Sequence, residues 1–159
     1  PTPSGKIECY NDYLYDWGQA FPVYEDANEA FEANPLKEKY PLYFMQGKSR
    51  YRIHAYYTSC QWFQENFGPY VNISPEDAEA RGLKTVRVFN DRGEFKCGLH
   101  VNRSLQPGVL FMAETTYTRY YPEGFLQNVT NSARLERGYD MYFGPQIPYN
   151  DTLVQIEKA

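Results

Sequence analysis

Short apolar runs bounded by turn residues dominate the chain from residue 41 onward. Pro41-Leu42-Tyr43-Phe44-Met45 is continuous and largely apolar, the pattern of a strand covered on both faces. Tyr70-Val71-Asn72-Ile73 repeats it, and so does Val109-Leu110-Phe111-Met112 after the Pro107-Gly108 turn. Between them lies a hairpin. Val86 and Val88 alternate with Arg87, and Asn90-Asp91-Arg92-Gly93 has turn chemistry. On the return strand, Phe95, Cys97, Leu99 and Val101 face one way and Lys96, Gly98 and His100 the other, so His100 reads as a solvated surface histidine. Thr152-Leu153-Val154-Gln155-Ile156 supplies a last strand.

Helical signals are sparse. Ser74-Pro75-Glu76-Asp77 opens one helix: Ser74 caps the free amides, Pro75 suits the first position, and the acids oppose the positive helix end. Gly82 suits the left-handed residue that closes it. A second short helix is predicted around Asp26 to Ala33, stopped by Pro35. Residues 47–69 and 115–148 read as long irregular segments of the kind that carry function. Five or six strands, one or two short helices and long loops predict a small β-barrel with binding loops.

Composition narrows the class. The chain has 159 residues, enough for one domain with a real core. Aromatics at 18% exclude a disordered chain, and no apolar run approaches the roughly 18–20 residues of a membrane span. A net charge of −4 and a pI near 5.2 argue against a nucleic-acid binder. Sixteen tyrosines suit a β-rich, ligand-contacting domain. Charge is uneven: residues 9–40 hold seven acids and two bases, residues 41–159 twelve acids and thirteen bases. Residues 1–40 therefore read as an acidic connector from a preceding domain, and 41–159 as the barrel. The opening Pro1-Thr2-Pro3-Ser4-Gly5, without an initiator Met, reads as linker in a fragment of a longer chain. Cys9, Cys60 and Cys97 are expected to be reduced and mostly buried. No CxxC pair exists and His54 and His100 lie 46 positions apart, so no local metal site is expected.

The densest chemistry is Gly47-Lys48-Ser49-Arg50-Tyr51-Arg52-Ile53-His54. In an extended backbone Lys48, Arg50, Arg52 and His54 would project from one face, about 6–7 Å apart. Such a row suits an extended anion such as a pyrophosphate. It equally suits an edge strand charged against aggregation, and both readings stay open on physics alone. The chain lacks GxSxG, HExxH, P-loop and GxGxxG motifs, and no acid/base pair points to a stand-alone hydrolase. A carbohydrate or small-ligand module using tyrosine platforms is the alternative from another class.

Seven segments in order resemble one family. Thr2-Pro3-Ser4-Gly5-Lys6-Ile7-Glu8, Pro41 through Lys48, Ile73-Ser74-Pro75-Glu76-Asp77-Ala78, Asn90-Asp91-Arg92-Gly93, Pro107 through Met112, Asn128-Val129-Thr130 and Pro148 through Val154 resemble the C-terminal, molybdopterin-dinucleotide-binding domain of the dimethyl sulfoxide reductase family of molybdenum and tungsten oxidoreductases. The stretches Ser49 through His54 and Leu153 through Ala159 lean toward the branch of anaerobic dimethyl sulfoxide reductases, in their large catalytic polypeptide. The resemblance implies a six-stranded double-psi β-barrel holding a molybdopterin guanine dinucleotide, two of which carry one metal in the full-length parent. It implies cofactor contacts from Gln46, Gly47, Lys48, Ser49, Arg50, Arg52, His54, Ala55, Asn128 and Asn150. The molybdenum or tungsten would be held by other domains, so this segment would carry no catalytic residue, no metal ligand and no turnover of its own. The implied partners are earlier domains of the same catalytic polypeptide and an iron–sulfur electron-transfer subunit of the anaerobic respiratory enzyme, with neither nucleic acid nor membrane insertion. Two departures from the family pattern stand out: a shortened turn through Arg81-Gly82-Leu83-Lys84-Thr85, and Glu114 after the Phe111-Met112 strand.

Overall fold

Leu42, Phe44 and Gln46 form the inward row of the first strand, β1 (Leu42–Gly47), and its alternating burial sets the side of the core. The computed structural model describes residues 2–79, 85–113, 117–139 and 144–159. Its further strands are β2 (Tyr70–Ile73), β3 (Thr85–Phe89), β4 (Glu94–Val101), β5 (Val109–Ala113), β6 (Glu123–Gly124) and β7 (Leu153–Lys158). Six of them close on themselves in the order β2-β5-β1-β7-β3-β4 and back to β2, while the two-residue β6 lies outside β4. The pairs β1/β5 and β2/β4 are parallel, and the others antiparallel. Closure removes the exposed edges that an open sheet of this size would present. The expected mainly-β, six-stranded barrel is therefore what the chain forms.

The core follows from period-two alternation. Leu42, Phe44, Val71, Ile73, Val86, Val88, Phe95, Cys97, Leu110, Met112, Val154 and Ile156 all face inward. Phe44 and Phe95 meet at 5.9 Å between ring centroids, and Tyr121 packs edge-on against Phe95 at 6.0 Å. Gly124 lets β6 pass close beside β4: it has φ +69°, and a Cβ there would lie 2.5 Å from the Glu94 carbonyl oxygen.

Two short helices flank the barrel, α1 (Gln61–Phe67) and α2 (Pro75–Glu79). The second starts where its cap predicts: Ser74 Oγ accepts from the Asp77 amide at 3.1 Å. The proposed stop at Gly82, the shortened turn before β3, and Glu114 lie outside the described residues.

Three sequence expectations fail. Residues 26–33 form irregular chain, bends and a turn rather than a helix, and Pro35 begins a 3-10 turn, Pro35–Glu38, capped by Asn34. Tertiary contacts override helix propensity here. The Asp151 carboxylate accepts the amides of Asn28, Glu29 and Ala30 at 2.6, 2.9 and 2.5 Å. Glu29 turns inward to Arg92 and to the Leu153 amide. The segment 47–69 is not wholly irregular, because α1 lies within it. The thiols are not mostly buried: Cys9 and Cys60 are exposed, and only Cys97, on the inward row of β4, is enclosed. Burial pushes the Cys97 thiol up to about 12. At pH 8 an aromatic disulfide reagent is expected to titrate two thiols rapidly in the native protein. The third should react only on unfolding, and three fast thiols would contradict this core.

Candidate functional site

Beyond Gly47 the backbone leaves the sheet and runs through turns to Cys60, and α1 then returns toward β2. The expected extended row of Lys48, Arg50, Arg52 and His54 does not form. Residues 53–60 make successive backbone turns, with His54 at φ +47° and Tyr57 at φ +65°. Curling the loop parts His54 from Lys48, Arg50 and Arg52.

Lys48, Ser49, Arg50 and Arg52 line a cleft of about 290 Å³ between this loop, β2 and β5. Its other walls include Phe67, Tyr70, Asn72, Asn102 and Phe111. Gly47 makes the loop's departure tight, since a Cβ there would lie 2.7 Å from the Phe111 ring. Tyr51 stacks on Phe67 at 4.4 Å with 25° between planes. Burial holds the Tyr70 hydroxyl above the usual phenol range; nearby Tyr51 adds to this and the Arg52 guanidinium opposes it. Asn72 is buried in β2, donates to the Phe111 carbonyl at 3.3 Å, and meets Nδ1 of His100 at 2.9 Å. His100 is exposed, as its strand position predicts, but it is also tied to a wall of the cleft.

The other sequence-predicted residues sit around the cleft rather than in it. Gln46 ends the inward row at the barrel rim. Its amide donates to Asn150 Oδ1 at 2.6 Å, its Nε2 donates to the Tyr149 carbonyl at 3.4 Å, and its Oε1 accepts from Gln127 at 2.8 Å. Asn150 thus takes up the Gln46 amide beyond the last pairing of β1 with β7, and Gln127 is a rim residue that the sequence did not single out. Asn128 donates to the Glu94 carbonyl at 3.1 Å and so braces the β3–β4 hairpin. His54 and Ala55 line a separate shallow dent with Tyr56 and Tyr117. Tyr70, Asn72, Asn102 and Phe111 were also missed as site residues. Asn72 had a signal, a polar side chain inside an apolar run. Asn102 and Phe111 reach the cleft through strand pairing that the linear sequence does not show.

A closed barrel whose rim carries cations beside flat aromatic walls has the chemistry to suit an anionic, ring-bearing ligand. The sequence profile of the family described as "Molydopterin dinucleotide binding domain" matches residues 42–137, and the chain belongs to that family as a cofactor-binding domain of the dimethyl sulfoxide reductase group. It is 32% identical over 158 residues to a putative dimethyl sulfoxide reductase catalytic subunit of Halobacterium salinarum, covering 19% of that protein and 89% of this chain. Dimethyl sulfoxide reductase DmsA of Escherichia coli is 29% identical over 179 residues, covering 21% of the relative and 99% of this chain. Trimethylamine-N-oxide reductase 1 of Escherichia coli is 34% identical over 119 residues, covering 14% and 68% respectively. Among solved structures, acetylene hydratase from Pelobacter acetylenicus shares the fold with a TM-score of 0.75 at 18% identity, over 24% of its own length and 99% of this chain. The chain thus spans about a fifth of the length of the first two relatives.

Proposed function

We propose that this chain holds part of a molybdopterin guanine dinucleotide in the catalytic subunit of a molybdenum or tungsten oxidoreductase resembling dimethyl sulfoxide reductases. The observation that carries the reading is the gathering of Lys48, Arg50 and Arg52 at one cleft with aromatic walls. The residues fit such a group. Three cations suit phosphate oxygens, arginine through a planar fork and lysine as a point charge. Tyr70 and Phe111 supply flat apolar surface for a fused ring, and Asn72 and Asn102 supply amide donors and acceptors. At about 290 Å³ the cleft takes one portion of a dinucleotide rather than its whole length. Ser49 adds a hydroxyl at the same wall.

The remaining residues of the proposed set act at the margin. Gln46 and Asn150 fix the end of β1 and so the origin of the loop. Gly47 permits its close passage over Phe111. Asn128 braces the neighbouring hairpin, and His54 and Ala55 present a second surface for the ligand's far end. When bound, the cofactor supplies the redox metal centre and its pterin ligands; this chain's residues bind and orient it. Residues 1–40 are proposed as the connector from an earlier domain. Its Glu25 pairs with Arg137, and Lys39 and Tyr40 reach Asp91 at 2.5 and 2.6 Å. An iron–sulfur electron-transfer subunit is the proposed partner of the whole enzyme.

Titrating the protein with guanosine diphosphate and with the purified dinucleotide tests the reading. Binding of the dinucleotide is expected, with a loss of about tenfold or more for Arg50→Ala or Arg52→Ala, the scale of a lost charge-assisted hydrogen bond. Equal affinities for wild type and both variants, or stronger binding of an oligosaccharide, would count against it.

A further inference from the structure

Helix α1 carries no residue of the proposed phosphate-binding set, yet its inner face touches that set directly. Phe63 is its one buried residue, at 2% exposure. The Arg52 guanidinium lies over the Phe63 ring at 5.3 Å from the centroid, and its Nε and Nη1 atoms are buried. One turn further on, Phe67 packs against Phe63 at 5.2 Å and stacks on Tyr51, the residue before Arg52. Two successive loop residues therefore rest on two successive rings of one helix.

We propose that Phe63 is a positioning residue for cofactor binding: its ring face fixes the plane of the Arg52 guanidinium at the wall of the cleft. The inference rests on the reading that this cleft binds the dinucleotide. The physical argument begins with the side chain. A free arginine samples many rotamers, and ordering it costs up to about 2 kcal/mol of side-chain entropy. A ring face holds a guanidinium by its flat surface, which keeps all the N–H donors in the plane perpendicular to that contact. Cation–ring attraction strengthens away from water, and here the contact is buried. An arginine also keeps its charge when buried, so the ring holds a permanent cation at the cleft.

The loop gives the ring contact its importance. Residues 53–60 turn repeatedly and include two non-glycine residues with left-handed backbone, so the ladder of β1 does not extend into them. The loop's order comes instead from side chains on both sides. Gln64 of α1 donates to the Thr58 carbonyl, Thr58 Oγ1 donates to the Ala55 carbonyl at 2.6 Å, and Arg119 donates to Ser59 Oγ at 3.2 Å. Within that frame Arg52 also rests on the Phe63 ring.

The experiment uses the full subunit that contains this chain. It reads retained dinucleotide as oxidised pterin released per protein, with affinity measured by dilution. Phe63→Leu keeps the apolar fill and removes the ring; it should lower affinity about tenfold, between the scale of an exposed and of a fully desolvated cation–ring contact. Phe63→Tyr keeps the ring and should restore wild-type retention. In the Arg52→Gln background, Phe63→Leu should have no further effect. Equal retention by Phe63→Leu and wild type would overturn the proposal. So would a loss from Phe63→Leu that adds in full to that of Arg52→Gln, since that result marks a purely structural role. If Phe63→Leu unfolds, Phe63→Met and the Tyr variant decide: the proposal requires Met to lose affinity and Tyr to keep it. Undiminished retention by Arg52→Gln would instead refute the cleft assignment itself.

Discussion

Arg92→Ala is expected to destabilise the protein by about 2 kcal/mol: its own side chain is partly open to solvent, but its loss leaves the buried Glu29 carboxylate without its charged partner. Glu29 is only 8% exposed and comes from the connector, 63 positions from Arg92 in sequence. Its two oxygens accept from Arg92 Nη1 and Nη2 at 2.6 and 2.8 Å, and Oε1 also accepts from the Leu153 amide at 2.7 Å. Arg92 Nε donates to the Val129 carbonyl at 2.9 Å. One guanidinium thus joins the connector, the β3–β4 turn and the residue after the 3-10 turn at 126–128. Removing it strands a carboxylate whose remaining anchor among the described residues is the Leu153 amide. Glu29→Gln keeps an acceptor for Leu153 without the charge, so its cost should be smaller, about 1 kcal/mol. The double variant Arg92→Ala/Glu29→Gln should be more stable than Arg92→Ala alone. Urea melts decide this: a loss under about 1 kcal/mol for Arg92→Ala would show that the pair does not fasten the connector.

Phe95→Ala is the second large effect, at about 3–5 kcal/mol. Phe95 is fully buried on β4 and lies between Phe44 of β1 and Tyr121. Its loss removes ring contacts to both sides of the barrel and leaves a cavity that a closed sheet cannot collapse to fill. Phe95→Leu retains most of the volume and should cost less than half as much. The same loss for both variants in denaturant melts would mean the site is not tightly packed.

Most strands were readable because alternation reports the pleat directly. Phe95, Cys97 and Leu99 opposite Lys96, Gly98 and His100 is such a case. The α2 start was equally plain, since Ser74 and Pro75 act on their own neighbours. The connector was misread for the opposite reason: Asn28, Glu29 and Ala30 take their shape from Asp151, more than a hundred residues away. The site was legible in part. A density of cations after β1 located Lys48, Arg50 and Arg52 at the cleft, while the assumption of an extended backbone misplaced His54. The opposite wall of Tyr70, Asn72, Asn102 and Phe111 depends on β2 pairing with both β4 and β5, which no local pattern encodes.

The position of β7 has a consequence for biosynthesis. This strand comes after every other barrel strand in sequence, yet it lies between β1 and β3. A growing polypeptide therefore holds an open seam until the ribosome has released residues 153–158, and Asp151, the clasp of the connector, emerges only just before them. Closure must join partners made at the beginning and end of the barrel's synthesis, a long-range step that is slow by topology. Until then β1 and β3 each lack the neighbour that β7 supplies, an open edge of the kind that pairs with other chains.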